Sequence, residues 1–323
     1  MRLDTKEKGT WKKEQGEWPV RKLIETKDLR WLHVSGIQEQ DYQFLHTSFK
    51  FHTLDYEDIR GQTHLAKVDT YKHYLFFVFH IPTYHEHNRT VGRKELYIFL
   101  ADKQIVTVTH APMTEVDDFI ARLERNSRFR ASQFSKGAAF VMYQILMEAF
   151  RQGRQIISQM AQEVGRLEEA INLDHGKSIT VELGHARRNV LYLRHLIDPQ
   201  RNIIASLMHI QRPFIPETVF VYFDDLQDDL DTVWLTADNL KLLLDGLFDV
   251  NEALLSHRTN EVITILTIMS ASLMVPTFIA GFYGMNVPWL PFAQSAPAVS
   301  LLYVATFFLM LMAVVWIIKR PRQ

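Results

Sequence analysis

Between Glu261 and Lys319 lie 57 consecutive residues, 262–318, without a single Asp, Glu, Lys, Arg or His. A water-facing surface cannot run that far without ionisable groups, so the stretch predicts a membrane segment. It holds two apolar runs, Val262 to about Tyr283 and about Val299 to Ile318, each near the ~20 residues that cross a bilayer as a helix. Between them, Pro288, Pro291 and Pro297 mark a turn, and Trp289, Tyr283 and Tyr303 have the amphipathic character of interfacial aromatics. Lys319, Arg320 and Arg322 follow the second run and the connecting loop has no basic residue, which predicts a multi-pass protein of the cell (inner) membrane with both termini cytoplasmic. Residues 1–18 are charged and lack the apolar core of a signal peptide.

The two runs differ. The first contains Thr264, Thr267, Ser270, Ser272 and Thr277, and polar groups at membrane depth face a protein interior or a water path. The second is nearly all bulky and apolar, as expected of a lipid-facing helix. A plain anchor is the simpler alternative; one helix inside and one outside points to a ring of subunits around a pore. The stripe Asn260, Ile263, Leu266, Ser270, Met274, Thr277 and Gly281, in steps of three and four, would keep one face on a bundle axis.

Composition excludes several classes. The 36 Lys and Arg balance 37 Asp and Glu, which argues against a nucleic-acid partner, and the absence of Cys rules out disulfides and thiolate metal sites. No Gly-rich phosphate loop, G-x-S-x-G or H-E-x-x-H is present, so neither an enzyme nor a nucleotide-driven pump is expected. A pore without such a motif would run on the gradient and the membrane potential, the latter worth about 2.3 kcal/mol per elementary charge per 100 mV.

From Pro216 to Pro276 no proline interrupts a helical apolar pattern, and residues 217–281 as one helix would reach about 98 Å at ~1.5 Å per residue. Its first half is acidic, and Asp231, Asp238 and Asp245 repeat every seven residues on one face. Such a face is either solvated or neutralised by a cation, with Mg²⁺ and its oxygen ligands the sharper possibility. The runs LRWLHVSG, KVDTYKHYLFFVFHIP, LYIFLAD and QIVTVTHA read as strands, the second as one covered by helices. Two helical segments, from about Ser135, read as an antiparallel pair. The expected fold is an α+β cytoplasmic domain joined by a very long helix to a two-helix membrane hairpin. The divisions are a cytoplasmic α/β domain (1–135), the helical pair (136–215), the cytoplasmic part of the long helix (216–261), a first transmembrane helix (262–285), an external loop (286–298), a second transmembrane helix (299–318) and a basic tail (319–323). His80, His85, Glu86 and His87 in HIPTYHEHNRT could bind Zn²⁺, although an exposed loop is the plainer expectation.

Tyr283, Gly284, Met285 and Asn286 close the first membrane run. In this position, after a long acidic helix and FDVNEALLSHRTNEVITILTI, the Gly-Met-Asn triplet resembles the signature of the CorA family of divalent-cation transporters. The resemblance extends to LDYEDI (54–59), LYIFLADKQIVTVTH (96–110) and ARRNVLYLRHLIDPQR (186–201). It implies a funnel-shaped homopentamer in lipid, with the first transmembrane helix lining the pore and Gly284, Met285 and Asn286 as its filter. A ring of Asn286 amides would hydrogen-bond the inner hydration shell of Mg²⁺, an ion that sheds water reluctantly. Gly284 would let the backbone approach closely and Met285 would pack. Thr277 could touch the hydrated ion, Met274 and Leu266 would close the path by dewetting, Asn260 would be an inner polar ring and Asp249 an acidic one. Glu57 and Asp58, with Asp225 of a neighbouring subunit, match a regulatory cytoplasmic Mg²⁺ site; alone, the first two read as a helix-surface acid pair. The loop VPWLPFAQSAPA lacks the Glu of the family's frequent Met-Pro-Glu-Leu, which leaves the ion open. Neutral amides and hydroxyls favour Mg²⁺ over Zn²⁺, which prefers His or Cys; Co²⁺ and Ni²⁺ remain alternatives, as does a non-conducting cation sensor.

Overall fold

The computed structural model describes residues 20–62, 65–173, 177–210, 212–285, 287 and 295–319. The chain forms two compact units, Met1–Phe248 and Asp249–Gln323. The first is built on a six-stranded sheet: β1 (Val20–Glu25), β2 (Arg30–Ser35), β3 (Lys67–Thr70), β4 (Leu75–His85), β5 (Thr90–Ala101) and β6 (Gln104–Thr109), in the order β1-β2-β6-β5-β4-β3. Neighbours are antiparallel except β2 and β6, which run parallel because α1 (Glu39–Ser48), α2 (Thr53–Gly61) and the β3–β5 meander intervene between them.

Alternation along β4 explains why both faces of the sheet are covered. Phe76 and Val78 meet Tyr97 and Phe99 of β5 and, on the same side, Leu45 of α1, Phe49 at its C-terminal cap and Ile59 of α2. Phe51, between those helices, stacks on Phe99 with centroids 3.9 Å apart. Leu75, Phe77 and Phe79 point the other way, where Phe79 meets Phe150 of α5 (Ala138–Leu173) edge to face, and Trp31 of β2 meets Phe119 of α3 (Thr114–Arg125). A strand buried on both faces is a continuous apolar run, and β4 is buried from Leu75 to Thr83. Pro82 is tolerated because β3 pairs only with Leu75–Val78, leaving the far edge of β4 free there.

The run from Lys67 to Pro82, read from sequence as one strand, is two. Tyr71 to Tyr74 make a tight turn, closed by the Tyr71 N–H on the Tyr74 carbonyl at 3.0 Å. No Gly, Pro or Asn announces it; it is held instead by stacking of Tyr71 on Tyr74 and by both hydroxyls donating to Asp55 at 2.6 Å.

Beyond the sheet, α4 (Ser127–Phe134) leads to α5 and α6 (Lys177–Leu207), which pack on each other and on β4. After a 3-10 turn at Glu217–Val219 the chain enters α7 (Phe220–Tyr283), 64 residues long, and then α8 (Ala296–Lys319). The long helix begins three residues after the sequence reading and ends two later. Its first turn is tightened because the Val219 N–H bonds the Pro216 carbonyl. In the first unit, Leu226, Leu230, Val233, Ala237, Leu240, Leu244 and Leu247 are buried, a regular alternation of four and three.

Candidate functional site

Among the described residues α7 is long and apolar enough to cross a membrane, and Ala296–Met310 is a shorter apolar stretch. The uncharged part of α7 has two distinguishable faces. Thr264, Ile268, Ser272, Pro276, Ile279 and Tyr283 are half-buried. The Tyr303 hydroxyl donates to the Pro276 carbonyl at 2.8 Å, so this is the face turned to α8. Tyr303, read from sequence as an interfacial aromatic, is thus a fastener between helices. Asn260, Ile263, Leu266, Ser270, Met274, Thr277 and Gly281 are all exposed in the single chain, Met274 at 73%. At about 100° per residue the mean directions of the two sets lie roughly 170° apart. The stripe is therefore on the side of α7 away from α8.

Its one threonine is oriented: the Thr277 hydroxyl donates to the Leu273 carbonyl at 2.7 Å, as Thr264 and Thr267, outside the stripe, do to the carbonyls four residues before them. A hydroxyl whose proton is committed to the helix presents lone pairs outward, where it can accept from water but not donate. That matches the water molecules around a cation, whose protons point away from the ion.

The end of α7 explains Gly284. Its N–H bonds the Ala280 carbonyl at 2.8 Å, and a Cβ added there would lie 2.9 Å from that oxygen. The close approach is thus within the helix terminus itself. Met285, expected to pack, is 55% exposed in the single chain, and Asn286 lies outside the described residues, as do Pro288, Trp289 and Pro291.

In the first unit the two carboxylates read from α2 point to different places. In α2, Glu57 and Asp58 diverge by about 100°. Glu57 lines a cleft of about 490 Å³ between α1 and α2, with Glu39, Tyr42, His46, Tyr56 and Arg60. Asp58 turns to the sheet, where ligand oxygens of Asp55, Asp58 and Asp69 lie within 4.8 Å of one another. The Lys67 ammonium sits among them, 2.6 Å from both Asp58 and Asp69. Burial opposes the Lys67 charge, but its bonds to Asp58 and Asp69 outweigh this and raise its pKa. Burial raises the pKa of Asp55 against the opposing hydrogen bonds from Tyr71 and Tyr74. Sequence reading passed over Asp55 and Asp69; the signal available was the i, i+3 spacing of Asp55 and Asp58, which puts them on one helix face. Asp225 accepts from the Tyr143 hydroxyl of α5 at 3.0 Å, and burial, reinforced by that bond, pushes the tyrosine up to about 12. Asp249 is exposed.

The heptad aspartates of α7 have arginine partners within the chain. Asp231, Asp238 and Asp245 pair with Arg201, Arg194 and Arg187 of α6, the last two pairs at 2.9 Å. Arginines spaced by seven on the antiparallel neighbour neutralise aspartates spaced by seven, so no dication is needed on this face. The histidine loop also resolves: His80 is buried in β4, while His85, Glu86 and His87 are exposed in the β4–β5 hairpin. Among the described residues the three-carboxylate group is the one metal-competent cluster, and it contains no histidine.

A family model described as "CorA-like Mg2+ transporter protein" matches residues 26–320. The cobalt/magnesium transport protein CorA of Thermotoga maritima is 29% identical over 263 residues, covering 81% of this chain and 74% of that protein. The complete structure of the CorA magnesium transporter from Methanocaldococcus jannaschii has the same fold, with a TM-score of 0.76 at 20% identity over 93% of this chain and 92% of that one. The full-length CmaX protein follows, with a TM-score of 0.68 at 18% identity over 87% of this chain and 88% of that one. Its α+β domain, long helix and apolar C-terminal helix thus accompany a family match over nearly the whole length, and the chain belongs to the CorA-like Mg²⁺ transporter family, whose members carry divalent metal ions.

Proposed function

We propose that five copies of this chain form a membrane channel that admits hydrated Mg²⁺ down its electrochemical gradient, with both termini in the cytoplasm. The observation that carries this is the exposed stripe of α7 on the side away from α8. An exposed seam that is polar at intervals is costly against lipid, and is accommodated where copies of α7 face one another around water. The same period continues towards the N-terminus of the helix: Asp225, Asp228, Thr232, Leu235, Asn239 and Leu242 are exposed in alternating steps of three and four.

In this assembly five Asn286 amides would hold an intact hydration shell at the mouth. The accepting hydroxyls of Thr277 would take over the contacts that bulk water made. Met274, Leu266 and Ile263, exposed at 73%, 56% and 54%, would form apolar rings that exclude ions when dry. Ser270 and Gly281 would leave wider points, Asn260 would be the inner polar ring and Asp249 would concentrate cations at the cytoplasmic end. Regulation by internal Mg²⁺ would use Asp58 against Asp225 of a neighbouring copy. Carboxylate oxygens suit this hard ion, but it would have to displace Lys67 from Asp58 and Tyr143 from Asp225. Glu57, turned to the α1–α2 cleft, would contribute only through that outer surface.

The test is dye-reported uptake of Mg²⁺, Co²⁺, Ni²⁺ and Zn²⁺ into proteoliposomes under a set potential, for the parent and Asn286→Ala. Potential-driven Mg²⁺ uptake that the substitution abolishes is expected. Zn²⁺ uptake without Mg²⁺ uptake would overturn the choice of ion, and no flux from folded, assembled protein would leave a cation sensor in place of a channel.

A further inference from the structure

We infer that Arg187, Arg194 and Arg201 form a charged strap that fixes how α7 lies on α6, so that inhibition by internal dications, sensed between Asp58 and Asp225, depends on α6 holding α7 in register. This rests on the channel reading above. The two sides of α6 are attached differently. Towards the sheet, the Asn189 amide accepts from the Val91 N–H and donates to the Arg89 carbonyl. Fully buried Gln200 accepts from the His80 N–H and donates to the Leu196 carbonyl. These bonds are shielded, and each would leave a buried group unpaired if broken, so α6 moves with the sheet.

Towards α7 the polar attachment is ionic and wet. The three arginines are 24–46% exposed and their aspartate partners 30–41%. Arg194 and Arg201 also lie 5.1 and 4.5 Å from the centroid of the Trp234 ring, and Arg187 lies 5.5 Å from that of Phe248. The apolar seam of α7 supplies adhesion but poor register, because Leu226, Val233, Leu240 and Leu247 are nearly alike at successive heptads. Charges flanking such a seam choose the register. Asp231, Asp238 and Asp245 each follow directly after a seam residue, Leu230, Ala237 and Leu244. Pairs this exposed are screened by salt and individually weak, so the strap can loosen without unfolding either helix.

The experiment uses the full-length protein in proteoliposomes with internal Mg²⁺ varied. In the triple variant Arg187→Gln/Arg194→Gln/Arg201→Gln, flux should persist, and the internal Mg²⁺ that halves it should rise about tenfold. Arg194→Asp and Asp238→Arg should each raise it, and their combination should bring it back towards the parent. A folded triple variant that keeps the parent's half-inhibiting Mg²⁺ within twofold would overturn the inference. So would a double exchange that restores nothing. Hydrogen exchange of the α6 and α7 backbone supplies a readout that needs no flux: faster exchange in both helices is expected for the triple variant, and unchanged exchange would count against the strap. An absence of flux in the parent would strike the channel reading instead.

Discussion

Alanine at Gly284 and at Gly281 separates a constraint within the chain from one between chains. At Gly284 the new Cβ would lie 2.9 Å from the Ala280 oxygen, against about 3.5 Å for an ordinary carbon contact. That oxygen is pinned by the Gly284 N–H at 2.8 Å, so relief must come from residues 284–286, the segment carrying the signature. Overpacking of this size costs about 1–3 kcal/mol. If it displaces the Asn286 ring, Mg²⁺ flux should fall roughly 5- to 150-fold, at tenfold per 1.4 kcal/mol. At Gly281 a Cβ meets nothing within 4 Å in the single chain. Gly281→Ala should therefore leave the fold of the single chain unchanged, and lower flux only where neighbouring copies crowd the same point. The assay is dye-reported Mg²⁺ uptake at matched amounts of assembled protein. Parent-like flux through Gly284→Ala, within twofold, would refute the argument that Gly284 is there to let the helix end close.

Removing the acceptor at Thr277 should lower flux with little effect on stability: Thr277→Val falls severalfold in Mg²⁺ uptake while Thr277→Ser stays near the parent, and equal uptake by the two would be contrary. Tyr74→Phe deletes a hydroxyl that donates to Asp55 at 2.6 Å and accepts from the His52 N–H at 2.7 Å, so thermal unfolding should show a loss of about 2 kcal/mol, and an unchanged midpoint would refute it. Burial lowers His33 from 6.5 to about 4, so between those values the unfolded chain binds more protons than the folded one. Its contribution is fully present above pH 6.5 and is lost as pH falls through about 4, on the order of 3 kcal/mol; His33→Gln should flatten the pH dependence of unfolding over that window.

What was legible in the sequence followed from period and charge. The uncharged 57 residues, the buried run of β4 and the unbroken helix after Pro216 each report a constraint that acts along the chain. What was missed depends on distant partners. The Tyr71–Tyr74 turn is stabilised by Asp55, which precedes it by 16 and 19 residues, and so shows no local turn chemistry. The resemblance singles out Asp58 and brings in Glu57 as its neighbour in sequence, yet on a helix adjacency separates side chains. Its companions are Asp55, one turn away, and Asp69, which arrives on a different element. Asp231, Asp238 and Asp245 were recognised as one face, but their counterions stand on α6, and the sequence of α7 alone cannot distinguish a partner arginine from a metal.

That distinction bears on how α7 works. Three of its aspartates, Asp231, Asp238 and Asp245, follow directly after buried seam residues and are neutralised by arginines of α6, which fixes how α7 lies on that helix. Asp225, Asp228 and Asp249 are on the exposed side, and among the described residues the Asp225 carboxylate accepts from the neutral Tyr143 hydroxyl. Leu226 of the seam and Asp228 of the outer face are two residues, about 200°, apart, so the helix presents opposite faces to opposite partners. A helix with one apolar seam needs only a domain to lie against. A second face that keeps a 3.5-residue period while carrying uncompensated carboxylates is the one left for other partners. On the channel reading proposed above, the same seven-residue spacing would serve adhesion on one side and an ion path on the other.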